Sequence, residues 1–171
     1  MTERPRPEDH TPNAEAVLTP DAQALQALLL KKLQKFGAMG GVAVDLPVII
    51  VDPQHVEEVC RIAKEDPEFS FKMLLCIAGV DYEEYIQVVY VMLSLEYEQT
   101  LILKTDLPYQ ELNIPTVSSV WKAANWYERE AQDLFGIQFV NHPDPRPLIL
   151  YEEFNGYPGR KDHPFYDYQE Y

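Results

Sequence analysis

Apolar positions change their spacing several times along the chain, and each change marks an element. Thr19 and Pro20 form a helix-start signal, an N-cap followed by proline at the first helical position. Leu25, Leu28, Leu29, Leu33 and Phe36 then recur at helical spacing, and Gly37 supplies a stop. Two short β-rich runs follow, Val42–Val44 and Val48–Val51, separated by Leu46-Pro47. Asp52-Pro53 repeats the start signal, and Val56, Val59, Cys60 and Ala63 make the apolar stripe of a second helix that ends before Pro67. The middle of the chain predicts a meander. Lys72–Val80 is nearly continuous apolar sequence, the pattern of a strand covered on both faces. "DYEEY" turns, Ile86–Leu95 is a long strand, "EYEQT" turns again, and Leu101–Thr105 pairs back. "DLPYQELNIPT" reads as a loop. Val117, Val120, Trp121, Ala124, Tyr127, Ala131, Leu134 and Phe135 share one face at 3.6-residue spacing, so the third helix is expected over about Val117–Phe135, with Gly136 as its stop.

Helices set before a run of antiparallel strands indicate an α+β fold. The expectation is a two-layer domain with helices on one face of a mixed, mainly antiparallel sheet, followed by a helix and an extended C-terminal arm. Three segments result: a disordered extension over 1–16, polar and proline-rich with no apolar signal segment; an α/β domain over 17–140; and a partner-binding tail over 141–171. The tail carries prolines at 143, 145, 147, 158 and 164, which disfavour helix and sheet. It also carries tyrosines at 151, 157, 166, 168 and 171, and disordered tails are poor in aromatics. Burial against another surface accounts for both features. Folding back onto its own domain is the competing account.

Charge narrows the function. With 28 acidic against 14 basic residues the net charge is −14, which opposes binding to phosphate backbones and to anionic lipid. Cys60 and Cys76 form no metal-ligand pattern and read as buried, reduced thiols. No apolar run reaches the roughly 18 residues of a membrane span.

"WYEREAQDLFGIQFVNHPDPRP", Trp126 to Pro147, is the densest cluster of candidate chemistry. Glu128 and Asp133, five apart on a helix, diverge by about 140°. Glu130 and Asp133 can share a side, and His142 follows the helix end, so a hydrolase built on Glu130, Asp133 and His142 is one reading. The HExxH spacing of a helical zinc site is absent, as are a nucleophile elbow and a phosphate-binding loop. "GAMGG" at 37–41 lacks the lysine of a P-loop. A free acidic adaptor is another reading. The structural account pairs Arg129 with Asp133 at i,i+4 and treats the stretch as a rigid helix end that launches the arm, with Pro143 forcing His142 out of helical geometry.

The same stretch resembles the signature of the C-type subunit of respiratory complex I, the energy-converting NADH:quinone oxidoreductase, roughly E-R-E-x-x-D-[LFM]-[FYV]-G-[IV]-x-F-x-x-H-P. Glu128, Arg129, Glu130, Asp133, Leu134, Phe135, Gly136, Ile137, Phe139, His142 and Pro143 all fall on it. The resemblance continues through Arg146, Leu148 and Leu150 to Glu153, Phe154, Gly156, Pro158, Arg160, Lys161, Asp162 and Pro164 of the ending F-x-G-x-P-x-R-K-D-x-P. It departs at Pro145-Arg146-Pro147, at Gly159 where leucine is usual, and at His163 where an aromatic is usual. It implies a structural subunit without catalytic, cofactor-binding or metal residues of its own. FMN, iron–sulfur clusters and quinone would lie in partner subunits. The partners implied are the quinone-site large subunit (the D type), wrapped by the tail, and the iron–sulfur subunits of the hydrophilic arm, with no nucleic acid. The location implied is peripheral, on the cytoplasmic side of the inner (plasma) membrane and bound only through the complex. The basic Arg160-Lys161-Asp162 would anchor the interface. Related subunits of ferredoxin- or F420H2-linked complexes and of membrane-bound hydrogenases are the alternative.

Overall fold

Residues 17–164 are described by the structure, a computed structural model; the expected N-terminal extension and the aromatics at 165, 166, 168 and 171 lie outside them. Helix α1 spans Pro20–Lys32, with the Thr19 hydroxyl accepting from the Ala22 amide at 3.3 Å. A 3-10 turn over Gln34–Phe36 then ends at Gly37, whose φ of 65° is a conformation that glycine adopts without a Cβ penalty. Strands β1 (Met39–Ala43) and β2 (Leu46–Ile50) form a hairpin. Its turn differs from the sequence expectation. Val44 leaves the strand at φ 59°, an uncommon conformation for a β-branched residue, and Leu46 and Pro47 lie inside β2. A turn at Pro53–His55 leads into α2, Val56–Glu65, whose Val56, Val59, Cys60 and Ala63 are buried as the stripe predicts.

Strands β3 (Met73–Asp81), β4 (Tyr85–Ser94) and β5 (Gln99–Pro108) complete a five-stranded sheet of order β1-β2-β5-β4-β3. Every pairing is antiparallel except β2 with β5. Register places Ile49, Leu103, Tyr90 and Ile77 in one row across four strands, all buried on the core face. The helices lie on this face. Gly40 of β1 lets Leu30 and Gln26 of α1 approach, and Gln26 Nε2 donates to the Gly41 and Val48 carbonyls at 2.6 and 3.0 Å. Gly79 of β3 lies under the Phe135 ring, where a Cβ would stand 2.6 Å from Cδ2. The fold is therefore the expected α+β arrangement.

β3 is a correction. It is an edge strand, and Met73, Leu75 and Val80 are exposed, so the described residues cover one of its faces and not both. Cys76 is likewise only half-buried, unlike the fully buried Cys60.

The third helix is shorter than its apolar stripe: α3 spans Ala124–Phe135, preceded by turns. Val117, Val120 and Trp121 are buried as expected. Helix does not reach them because local polar groups compete for the backbone. The Thr116 hydroxyl accepts from the Ser118 amide at 3.1 Å, and the Val117 amide donates to Glu128. Strands β6 (Asn113–Pro115) and β7 (Gln138–Val140) form a small parallel pair on either side of α3 in sequence.

Candidate functional site: α3 and the tail it holds

Four consecutive anchors tie the tail to the domain, and each uses a residue of the Trp126–Pro147 cluster or of the C-terminal motif. The first lies at the start of α3. Glu128 is fully buried; it accepts from the Thr116 hydroxyl and, at 2.6 Å, from the Val117 amide. His142 lies beside it, its Nε2 at 3.2 Å from the Asn125 carbonyl and 3.6 Å from Glu128. Its Nδ1 accepts from the Asp144 amide at 3.1 Å, which leaves the ring proton on Nε2, directed at those two oxygens. Burial raises the Glu128 carboxyl to about 7, against the lowering effect of its two donors.

The second anchor is Arg129. Its Nε and Nη2 donate to the carbonyls of Arg146 and Pro147 at 2.8 and 2.9 Å, with Asp144 at 3.5 Å from Nη1. Gln132 adds a bond to the Pro145 carbonyl at 2.9 Å. The third is Asp133, whose Oδ2 accepts three consecutive amides: Leu148 and Ile149 at 2.8 Å and Leu150 at 3.2 Å. The expected Arg129–Asp133 pair is therefore not made. A guanidinium that meets backbone carbonyls and a carboxylate that meets backbone amides each satisfy several groups of an irregular segment, which a surface pair could not do.

The fourth anchor closes the loop. Gly159 donates to the Leu134 carbonyl at 2.9 Å and packs against Phe135. Arg160 Nε donates to the Phe135 carbonyl at 2.7 Å, and its guanidinium lies over Tyr157 and Tyr109, with centroids at 4.3 and 5.2 Å. Gly136, at φ 74°, ends α3 where a Cβ would meet Arg160 and Tyr157 at 2.6 Å. The Lys161 amide donates to Asp81 at the end of β3 at 2.8 Å, and the Glu83 amide donates to the same carboxylate at 2.7 Å. Burial works against the Asp81 charge, but the Tyr109 hydroxyl and these amides outweigh it and hold its pKa low. Arg160 thus anchors the tail to its own domain. Asp162 is exposed, and Arg146 points outward, forked onto Asp144 at 2.6 and 2.9 Å.

The tail as far as Pro164 therefore has no helix or strand but is not loose. Its inner side, with Tyr157 against Gly136, rests on α3, while Ile149 and Tyr151 stay exposed on the outer side. Glu130, Asp133 and His142 do not converge: His142 faces Asn125 and Glu128, Asp133 faces the tail amides, and Glu130 borders a shallow groove with Ile77 and Phe135. Among the described residues no group of three or more histidine, cysteine or acidic side chains is placed to hold a metal ion. Thr116, Tyr109 and Asp81 are parts of the site that sequence reasoning missed. Aspartate opening "DYEEY" is an Asx-turn signal that finds the Glu83 bond, but nothing local signals a partner as remote in sequence as Lys161.

Comparison with known proteins gives this arrangement a lineage. Residues 49–169 match the family described as respiratory-chain NADH dehydrogenase, 30 Kd subunit. The chain belongs to this family. A C-type subunit of NADH-quinone oxidoreductase from Rhizobium meliloti is 40% identical over 133 residues, covering 76% of this chain and 72% of that protein. The C-type subunit from Coxiella burnetii is 36% identical over 155 residues, with 71% and 68% covered. Among solved structures, a trypsin-resistant fragment of Nqo5 superposes with a TM-score of 0.61 at 27% identity, covering 69% of this chain and 97% of the fragment. A chain of the membrane-bound sulfane sulfur reductase, an archaeal respiratory membrane complex, reaches 0.71 at 28% identity, covering 84% and 86%. Membership of this family thus accounts for the motif, and the C-type relatives are parts of an oxidoreductase.

Proposed function

We propose that this chain is a non-catalytic structural subunit in the hydrophilic arm of a complex I-type NADH:quinone oxidoreductase. It packs beside the quinone-site large subunit and supports electron transfer to quinone coupled to proton translocation. FMN, iron–sulfur clusters and quinone are held by partner subunits, and the chain meets the membrane only through the complex, on the cytoplasmic side. Among the described residues no helix is long and apolar enough to cross a membrane.

One observation carries this reading. The motif's Glu128, Arg129, Asp133, His142 and Arg160 are directed at the chain's own backbone and side chains, which supports a structural role for them. What the tail offers a partner is its outer side, Ile149 and Tyr151. Aromatic side chains of this kind carry interface energy. The likeness to a chain of an archaeal respiratory complex supports a second reading, the equivalent subunit of a related ferredoxin- or F420H2-linked complex or membrane-bound hydrogenase.

Affinity capture on this chain from membranes solubilised in mild detergent, followed by mass spectrometry, tests both. The quinone-site and iron–sulfur subunits are expected in near-stoichiometric amounts, together with an NADH-binding module. A different donor module would favour the second reading, and recovery of the chain alone would contradict both.

A further inference from the structure

The helices cover one face of the five-stranded sheet, and the register defines what lies on the other. Met39, Ile50, Lys104, Val89 and Ala78 form one row across all five strands. Gly41, Val48, Ile102, Val91 and Cys76 form the next. Leu93 and Met73 extend it at one end, and Gln87 and Val80 at the other. Val48 and Ile102 are buried yet stand apart from the hydrophobic core, while Met39, Met73 and Val80 are exposed.

We propose that this open sheet face docks another protein subunit, one presenting an apolar, nearly uncharged surface with a carboxylate opposite Lys104. Four observations converge on that occupant. β3 and β4 have the continuous apolar sequence of strands buried on both faces, and the described residues cover only one. The protein carries 28 acidic residues, but on this face the acid is Asp106, at the margin and hydrogen-bonded to Gln87 at 2.7 Å. The cation is Lys104, set among Ile50, Val89 and Ile102 with no hydrogen bond or ion pair among the described residues, and a partner's carboxylate would supply its counter-charge. Finally, five strands about 4.8 Å apart, the longer ones rising about 3.3 Å per residue, give a face roughly 20 Å by 30 Å. That is on the scale of the ~800 Å² each partner contributes to a standard interface.

The inference rests on the subunit reading above, and the test separates the two. Val91→Glu places a charge at the centre of the face, and Ala78→Glu places one at its exposed edge, where the strand tolerates it most easily. Each full-length variant is checked for cooperative thermal unfolding in isolation and is then used in capture from detergent-solubilised membranes. Both are expected to unfold within a few degrees of the wild type and to recover at least tenfold less of the other subunits. Wild-type recovery by a folded variant would overturn the docking face and leave the subunit reading standing. Failure of the wild-type chain to recover any subunit would overturn both. An isolated wild-type dimer that Val91→Glu converts to monomer would assign the face to a second copy and overturn the proposed occupant.

Discussion

Glu128 is the residue at which burial and charge conflict most. It has no solvent contact, two donors favour its anion, and burial still raises it to about 7 from an ordinary 4.5. Between those values the folded protein holds a proton that the unfolded chain has released, so folding stability falls as pH rises from about 4.5 to about 7 and then levels off. Urea unfolding at pH 5 and pH 7.5 is expected to show a loss on the order of 2 kcal/mol, and Glu128→Gln, neutral throughout, is expected to remove most of it. An unchanged slope in Glu128→Gln would mean that other groups set the pH dependence. The sequence shows Glu128 as one of several acids on a helix. Its special environment depends on Thr116, upstream of the helix, and on His142, beyond its far end, and helical geometry alone relates it to neither.

At the scale of elements, α3 and the tail work as one unit, and Gly136 is where they join. Gly136→Ala puts a Cβ 2.6 Å from Arg160 and Tyr157 in a left-handed backbone conformation, with a cost of about 1–2 kcal/mol before any clash is relieved. The tail's return is then expected to open, and trypsin to cleave at Arg160 and Lys161 roughly tenfold faster, since each ~1.4 kcal/mol is a factor of ten in the open population. Equal cleavage rates would show that the Gly136 contact does not hold the tail. The elements themselves were largely legible. Periodicity found α1, α2 and the meander, because burial on one side imposes those patterns. It extended α3 upstream, because Val117, Val120 and Trp121 are buried at helical spacing without being helical. It also made β3 a fully covered strand, because sequence records that a residue is apolar and not which chain covers it. The tail's prolines pointed away from helix and strand, and residues 141–164 have neither. They could not reveal that Asp133 and Arg129 bind its backbone, since backbone donors and acceptors are the same in every sequence.

In the whole molecule, an α+β domain that buries one sheet face is joined to a tail clamped along α3. The open sheet face and the tail's outer side remain for neighbours. On the proposed function, the acidic and basic motif residues act by holding structure and not by chemistry. Asp133→Asn separates the two roles, because it weakens the carboxylate that gathers three tail amides without changing its size. The deciding measurement is NADH:quinone reductase activity in membranes carrying Asp133→Asn, normalised to the amount of assembled complex. The predicted result is less assembled complex, roughly in step with the loss of activity, and an unchanged activity per complex. Full assembly with activity lost would contradict the structural role and make Asp133 a participant in the reaction.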